Sequence, residues 1–144
     1  MNNVVIKDKS EISKLMHQFK DSLYNKTLSE AQIEQLAHRY ANNGEFYLLK
    51  EGQTEIGFVS FYCNDLIKKI SFISMIVVKK ERQGKSYGNE LIKIVENVSI
   101  MNGMTKVRLE VDIQNERALK FYQKKGFKIV EEKESSRIME KQIR

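Results

Sequence analysis

The sequence predicts a mixed α/β domain with an antiparallel beginning and one parallel strand–helix–strand crossover. Three observations predict it. Two segments of helical periodicity open the chain. Apolar runs separated by short turn-like stretches follow, which is how antiparallel strands read. The last of these runs, Ile70 to Val78, leads through Gln83-Gly84-Lys85-Ser86-Tyr87-Gly88 into an amphipathic stretch and then into a strictly alternating one. That order is a βαβ unit, expected to be a right-handed parallel crossover.

Taken in chain order, Ser10 is the expected N-cap of a helix running to about Tyr24, because Ile12, Leu15, Met16, Phe19 and Leu23 recur at helical spacing. Ser29 starts a second helix, with Gln32 as its capping-box partner; Ile33, Leu36, Ala37 and Tyr40 form the apolar face, and Asn42-Asn43-Gly44 ends it. Phe46–Lys50 and Ile56–Tyr62 flank Glu51-Gly52-Gln53-Thr54, a hairpin turn. Asn64-Asp65 turns the chain toward Ile70–Val78, whose two apolar faces suit a central strand. The helix Asn89–Met101 buries Leu91, Ile94, Val95, Val98 and Met101, and Gly103 stops it. Val107, Leu109, Val111 and Ile113 then alternate with Arg108, Glu110 and Asp112, giving a strand with one buried and one polar face. Asn115 caps a short helix to Lys125 that Gly126 stops, and a last hairpin, Phe127–Ile143, turns near Glu134-Ser135-Ser136-Arg137.

Composition narrows the function. The chain has 144 residues, 41% hydrophobic and 31% charged, which suits one globular core. No apolar run approaches the ~20 residues a membrane span needs. Met1-Asn2-Asn3-Val4 has no basic segment followed by an apolar core, so no signal peptide is expected. The single cysteine, Cys63, has no intramolecular disulfide partner, and a cytoplasmic location is expected. A net charge of +6 suits anionic ligands, but Lys and Arg are interleaved with Glu and Asp and no nucleic-acid-binding motif accompanies them. No metal site is visible: His17 and His38 lack carboxylate or cysteine partners at ligand spacing. Phe58, Phe61, Tyr62 and Phe72 form an aromatic set, mostly core, and Cys63 reads as a small buried hydrophobe.

The chemistry gathers at Gln83–Gly88. A small-residue turn between a strand and a helix leaves main-chain N–H groups without partners at the positive end of the helix dipole, which makes an anion site. Lys79, Lys80, Arg82 and Lys85 surround it and would steer phosphate.

Here the residues resemble a known family. Gln83-Gly84-Lys85-Ser86-Tyr87-Gly88 is similar to the acetyl-CoA turn Arg/Gln-x-x-Gly-x-Gly/Ala of the GCN5-related N-acetyltransferases (GNAT). A second string follows in the family's order: Leu109-Glu110-Val111, Asn115-Glu116-Arg117-Ala118, Phe121-Tyr122 and Gly126-Phe127. Ser86 stands where the family usually has its first glycine; its hydroxyl can bond a phosphate oxygen, while its Cβ adds bulk there. The resemblance covers about Glu45 to the C-terminus. It implies a GNAT-type acyltransferase fold, a mixed and mostly antiparallel sheet with a splayed parallel pair, flanked by helices. It implies one N-acetyltransferase domain over 1–144, in which 1–44 is the variable helical acceptor-side segment and 45–144 the acetyl-CoA-binding core.

The resemblance further implies residue roles. Acetyl-CoA would be held by Gln83, Gly84, Lys85, Ser86, Tyr87 and Gly88, by the backbone of Met75, Ile76, Val77 and Val78, and by Asn115 and Tyr122. The attacking amine, with a pKa near ~10.4 if it resembles lysine, must lose a proton. Glu110 is the candidate base, the alternative being an ion pair with Arg108, Lys106 or a neighbouring strand. Tyr122 is the candidate acid for the leaving thiolate, the alternative being a core aromatic with a satisfied hydroxyl. The implied reaction is direct attack in a ternary complex by a small amine, an amino sugar or a protein N-terminus. A coenzyme A-binding module without catalysis is the second reading and a basic nucleic-acid-binding protein the third. The resemblance also admits a homodimer.

Overall fold

The structure, a computed structural model, describes residues 1–144. Seven strands form one sheet in the order β1-β2-β3-β4-β5-β7-β6. They are β1 (Asn2–Val5), β2 (Glu45–Glu51), β3 (Thr54–Tyr62), β4 (Ile70–Val78), β5 (Lys106–Asp112), β6 (Lys128–Glu132) and β7 (Ser136–Gln142). The helices are α1 (Lys9–Gln18), α2 (Glu30–Asn43), α3 (Tyr87–Met101) and α4 (Glu116–Lys124). All neighbouring strands are antiparallel except β4 and β5, which run parallel with α3 as the crossover. This is the fold class expected from the element order. No helix is long and apolar enough to cross a membrane.

Two clusters of buried side chains sit on the sheet. One joins Leu91, Ile94 and Val95 of α3 to Ile73, Val107 and Leu109. The other joins Ile12, Met16, Ile33 and Tyr40 of α1 and α2 to Phe46, Phe58 and Val77. Burying apolar area at roughly 25 cal/mol per Å² is the main favourable contribution from both.

Several local expectations are corrected. Asp8, not Ser10, caps α1: its carboxylate accepts from the Glu11 N–H at 3.1 Å and complements the helix dipole. The α1 helix ends at Gln18 rather than near Tyr24, and a 3-10 turn, Lys20–Ser22, follows. The apolar spacing misleads there because Phe19 and Leu23 stay buried after the helix has stopped. Met101 is 83% exposed: it ends α3, and the chain returns to the core at Met104, which takes the buried place. Ile113 lies past the last residue of β5, so strand alternation no longer governs it, and it is exposed. The β1 strand carries no periodic signal, since all its residues are exposed, and it is held by pairing with β2. The capping box of Ser29 and Gln32, the hairpin at Gly52 and the limits of β4 stand as expected.

Candidate active site

The pairing of β4 with β5 covers only half of β4. Ile70 to Ile73 face Lys106 to Leu109, and there the ladder stops. Beyond it, Met75–Val78 is bonded only to β3 and Glu110–Asp112 only to β7. A bulge marks the break: Ser60 pairs Met75 and Phe61 pairs Ile73, so Ser74 is an extra residue in β4. Its Oγ lies 2.6 Å from the Tyr40 hydroxyl. The strands splay, as the resemblance implied, and one edge of β4 is left without a neighbour.

A cleft of about 790 Å³ opens along this edge. Ile76, Val77 and Val78 border it from β4, the turn residues Gln83, Gly84, Ser86, Tyr87 and Gly88 from the start of α3, and Asn115 and Tyr122 from α4. The size is that of a site for a large small-molecule ligand. The turn is tied at both ends through Gln83, whose side-chain amide donates to the Val78 carbonyl at 3.0 Å and accepts from the Arg117 guanidinium at 3.1 Å. Gly84 and Ser86 have φ of 83° and 68°. These left-handed conformations turn successive N–H groups the same way, and those of Gly84 through Gly88 find no acceptor in the turn or its neighbours. With the positive end of α3 behind them they form an anion cradle. Ser86 sits at the N-cap position without a capping side-chain bond.

The individual residues divide by what else they do. Gly88 has a packing reason as well: a Cβ there would come within 2.9 Å of the Phe121 ring, so glycine lets α3 and α4 approach. The Tyr87 ring is buried in the core and its hydroxyl donates to Glu51 at 3.3 Å. Asn115 caps α4 by accepting from the Ala118 N–H at 3.2 Å. Tyr122 packs edge-to-face on Phe127, with ring centroids 5.6 Å apart. Burial raises the pKa of its hydroxyl, and no hydrogen bond offsets that effect.

Three sequence candidates stand outside the cleft. Met75 packs against the α1–α2 core. Lys85 is exposed and does not border the cleft. Glu110 projects from β5 on the face opposite Leu109 and Val111; its carboxylate accepts from the Ser136 hydroxyl at 2.5 Å and lies 3.5 Å from Lys133. Arg108 and Lys106, the partners considered from sequence, pair with Glu140 instead.

The cleft also contains residues that sequence reasoning missed. Asn89, in the first turn of α3, borders it with a buried Oδ1 that has no partner. Lys26 and Tyr24 reach it from the loop between α1 and α2, and Lys124 and Lys125 from the end of α4. No local pattern marked Asn89, which sits beside the polar Glu90 in the first turn, and the lysines come from distant segments. Cys63 is buried, and burial followed by the nearby Glu45 charge pushes its thiol up to about 11, which makes it a poor nucleophile. No group of three or more His, Cys, Asp or Glu is placed to hold a metal ion.

Comparisons with known proteins agree with this geometry. The family model described as Acetyltransferase (GNAT) family matches residues 11–127. No curated protein sequence matches the chain. Among solved structures, PaiA N-acetyltransferase from Thermoplasma acidophilum, in complex with coenzyme A, is 24% identical, with TM-score 0.73 and 99% of each chain covered. The ribosomal-protein-alanine N-acetyltransferase of Escherichia coli is 15% identical with TM-score 0.78, over 99% of this chain and 94% of that one. A spermidine N-acetyltransferase chimera involving Vibrio cholerae is 18% identical with TM-score 0.75, over 99% and 96%.

Proposed function

The chain belongs to the GNAT family of acetyltransferases, and on that premise we propose that it transfers an acetyl group from acetyl-CoA to a primary amine by direct attack in a ternary complex. The observation that carries this reading is the unpaired edge of β4, opening onto five consecutive free N–H groups at the start of α3. The free edge suits the amides of a pantetheine arm, and the N–H cradle suits the diphosphate behind it.

Each residue then has a task. The β4 backbone from Met75 to Val78 aligns the donor, and the main-chain N–H groups of Gly84 to Gly88 hold its diphosphate on a turn that Gln83 ties in place. Attack of the amine on the thioester carbon forms the C–N bond and expels the thiolate as the C–S bond breaks. Glu110 stands outside the cleft, so the proton lost by the amine passes to it through water. Lys133 and Ser136 hold the Glu110 carboxylate in place. Tyr122 borders the cleft, and because burial raises its pKa above the usual tyrosine value it keeps its proton at neutral pH. It donates its hydrogen toward the sulfur as negative charge builds there. Residues 1–44 shape the acceptor side. A cytoplasmic location fits the single, buried Cys63.

A free-thiol release assay with acetyl-CoA against polyamines, amino sugars, aminoglycosides and short peptides tests the proposal. It predicts thiol release with at least one class. Coenzyme A binding with no release from any acceptor would make the protein a binding module instead.

A further inference from the structure

The cleft carries positive charge that the glycine turn does not explain. Its border includes Lys26, Lys80, Arg82, Arg117, Lys124 and Lys125 but a single carboxylate, Asp21. Two of these cations already have roles, since Arg82 pairs with Glu51 at 3.4 Å and Arg117 donates to Gln83. Lys26 and Lys80 differ: no carboxylate lies within ion-pair distance of either.

The two lysines come from separate parts of the chain and are held together. Lys80 sits on the 3-10 turn Lys80–Arg82 that follows β4. Lys26 sits on the loop between α1 and α2, which is anchored beside that turn. Leu23 is buried in the same core cluster as Val77. The Ser22 hydroxyl accepts from the Lys80 main-chain N–H at 3.2 Å. The Asn25 side chain accepts from the Thr27 N–H at 3.0 Å and its hydroxyl at 2.5 Å, shaping the loop around Lys26. Both side chains consequently border the same part of the cleft wall, where the loop meets the 3-10 turn. Contact with Lys80, then its charge, then slight desolvation lower the pKa of Lys26, and Asp21 alone opposes them. Arg82, Lys124 and Lys125 add positive charge along the border, against the single carboxylate of Asp21. Two cations fixed in this way are suited to an anion placed between them.

We propose that Lys26 and Lys80 clamp a phosphate group of coenzyme A, so that the loop between α1 and α2 closes on the cofactor as well as framing the acceptor. The proposal rests on the reading of the cleft as the cofactor site. It gives the acceptor-side segment a direct hold on the donor, independent of the turn and of α4.

Isothermal titration with coenzyme A and with dephospho-coenzyme A, on the wild-type protein, K26Q and K80Q, tests it. Lys26 is exposed, so K26Q leaves the core intact, which circular dichroism checks. Each substitution is expected to weaken coenzyme A binding about tenfold at low salt. If the clamp holds the 3′-phosphate, dephospho-coenzyme A binds the wild type more weakly and is indifferent to both substitutions. If it holds the diphosphate, both ligands lose affinity alike. A phosphate beside Lys26 restores its lowered pKa, so at alkaline pH binding to the wild type takes up protons, and K26Q loses that uptake. Coenzyme A affinity in K26Q within about twofold of wild type, with unchanged proton uptake, overturns the clamp alone. A wild-type protein that binds no coenzyme A overturns the cofactor reading and the clamp with it.

Discussion

The two halves of β4 meet the same neighbours in sequence but not in space. In the lower half, Ile70 to Ile73 pair with β5, Ile73 is 4% exposed, and Ser71 bonds the Ser99 hydroxyl of α3 at 2.6 Å inside the core. In the upper half, Met75 to Val78 lose β5, and Ile76 and Val78 are only half-buried beside the cleft. A one-residue bulge at Ser74 separates the two. The contrast teaches that one strand serves as scaffold and as ligand edge, and that the upper half depends on β3 for its position.

The largest effect should come from breaking that dependence. Gly57 of β3 faces Val78, and a Cβ on it would lie 2.2 Å from the Val77 carbonyl oxygen. Because the obstacle is backbone, Gly57→Ala should displace the upper half and destabilise by about 3 kcal/mol, seen as a fall in Tm of about 10 °C. An unchanged Tm would show that the upper half is free to move. Next in size, Tyr122→Phe should lower kcat about 100-fold with Tm nearly unchanged, since the hydroxyl lost has no hydrogen-bond partner within the protein. Full turnover in that variant would return Tyr122 to the scaffold.

How much of this contrast was legible in the sequence follows from the physics of each signal. The limits of β4 were, because a long apolar run between polar turns has one reading. The anion turn was, because glycine and small residues are needed where N–H groups converge. The Ser74 bulge was not: an extra residue in a ladder is set by the partner strand and leaves no mark in local periodicity. Lys26 was not, because a surface lysine in a loop looks like any other until the fold brings Lys80 beside it. Tyr122 and Asn115 were found through their motif, whereas Met75, from the strand before the turn, and Lys85, from the turn itself, do not border the cleft. Their positions in the family string specify main chain, and side-chain direction depends on the bulge and the turn.

Smaller effects sharpen the scaffold side. Ser71→Ala leaves the Ser99 hydroxyl buried without a partner and should cost about 1–2 kcal/mol, whereas replacing both serines by alanine should cost less than the two single changes summed. Urea denaturation of the double-mutant cycle measures this, and strict additivity would contradict the pairing. The smallest effect concerns Glu140 on β7. Burial raises its pKa, but hydrogen bonds and charges from Arg108 and Lys106 outweigh that, and the net shift is downward. A depressed folded pKa means stability present above the unfolded value of ~4.3 and lost as pH falls through the folded one. Arg108 and Lys106 are more than a third exposed, so screening limits the contribution to about 1 kcal/mol. Glu140→Gln should flatten the acid limb of the stability profile by that amount, and an unaltered limb would assign it to other carboxylates.

The splay itself is tested most directly by a crystal structure with coenzyme A bound. The pantetheine amides should pair with the β4 main chain between Met75 and Val78, on the edge that β5 leaves free, with the diphosphate on the N–H groups of Gly84 to Gly88. Coenzyme A seated elsewhere, or a β4 edge taken up by β5 in the complex, would contradict the account.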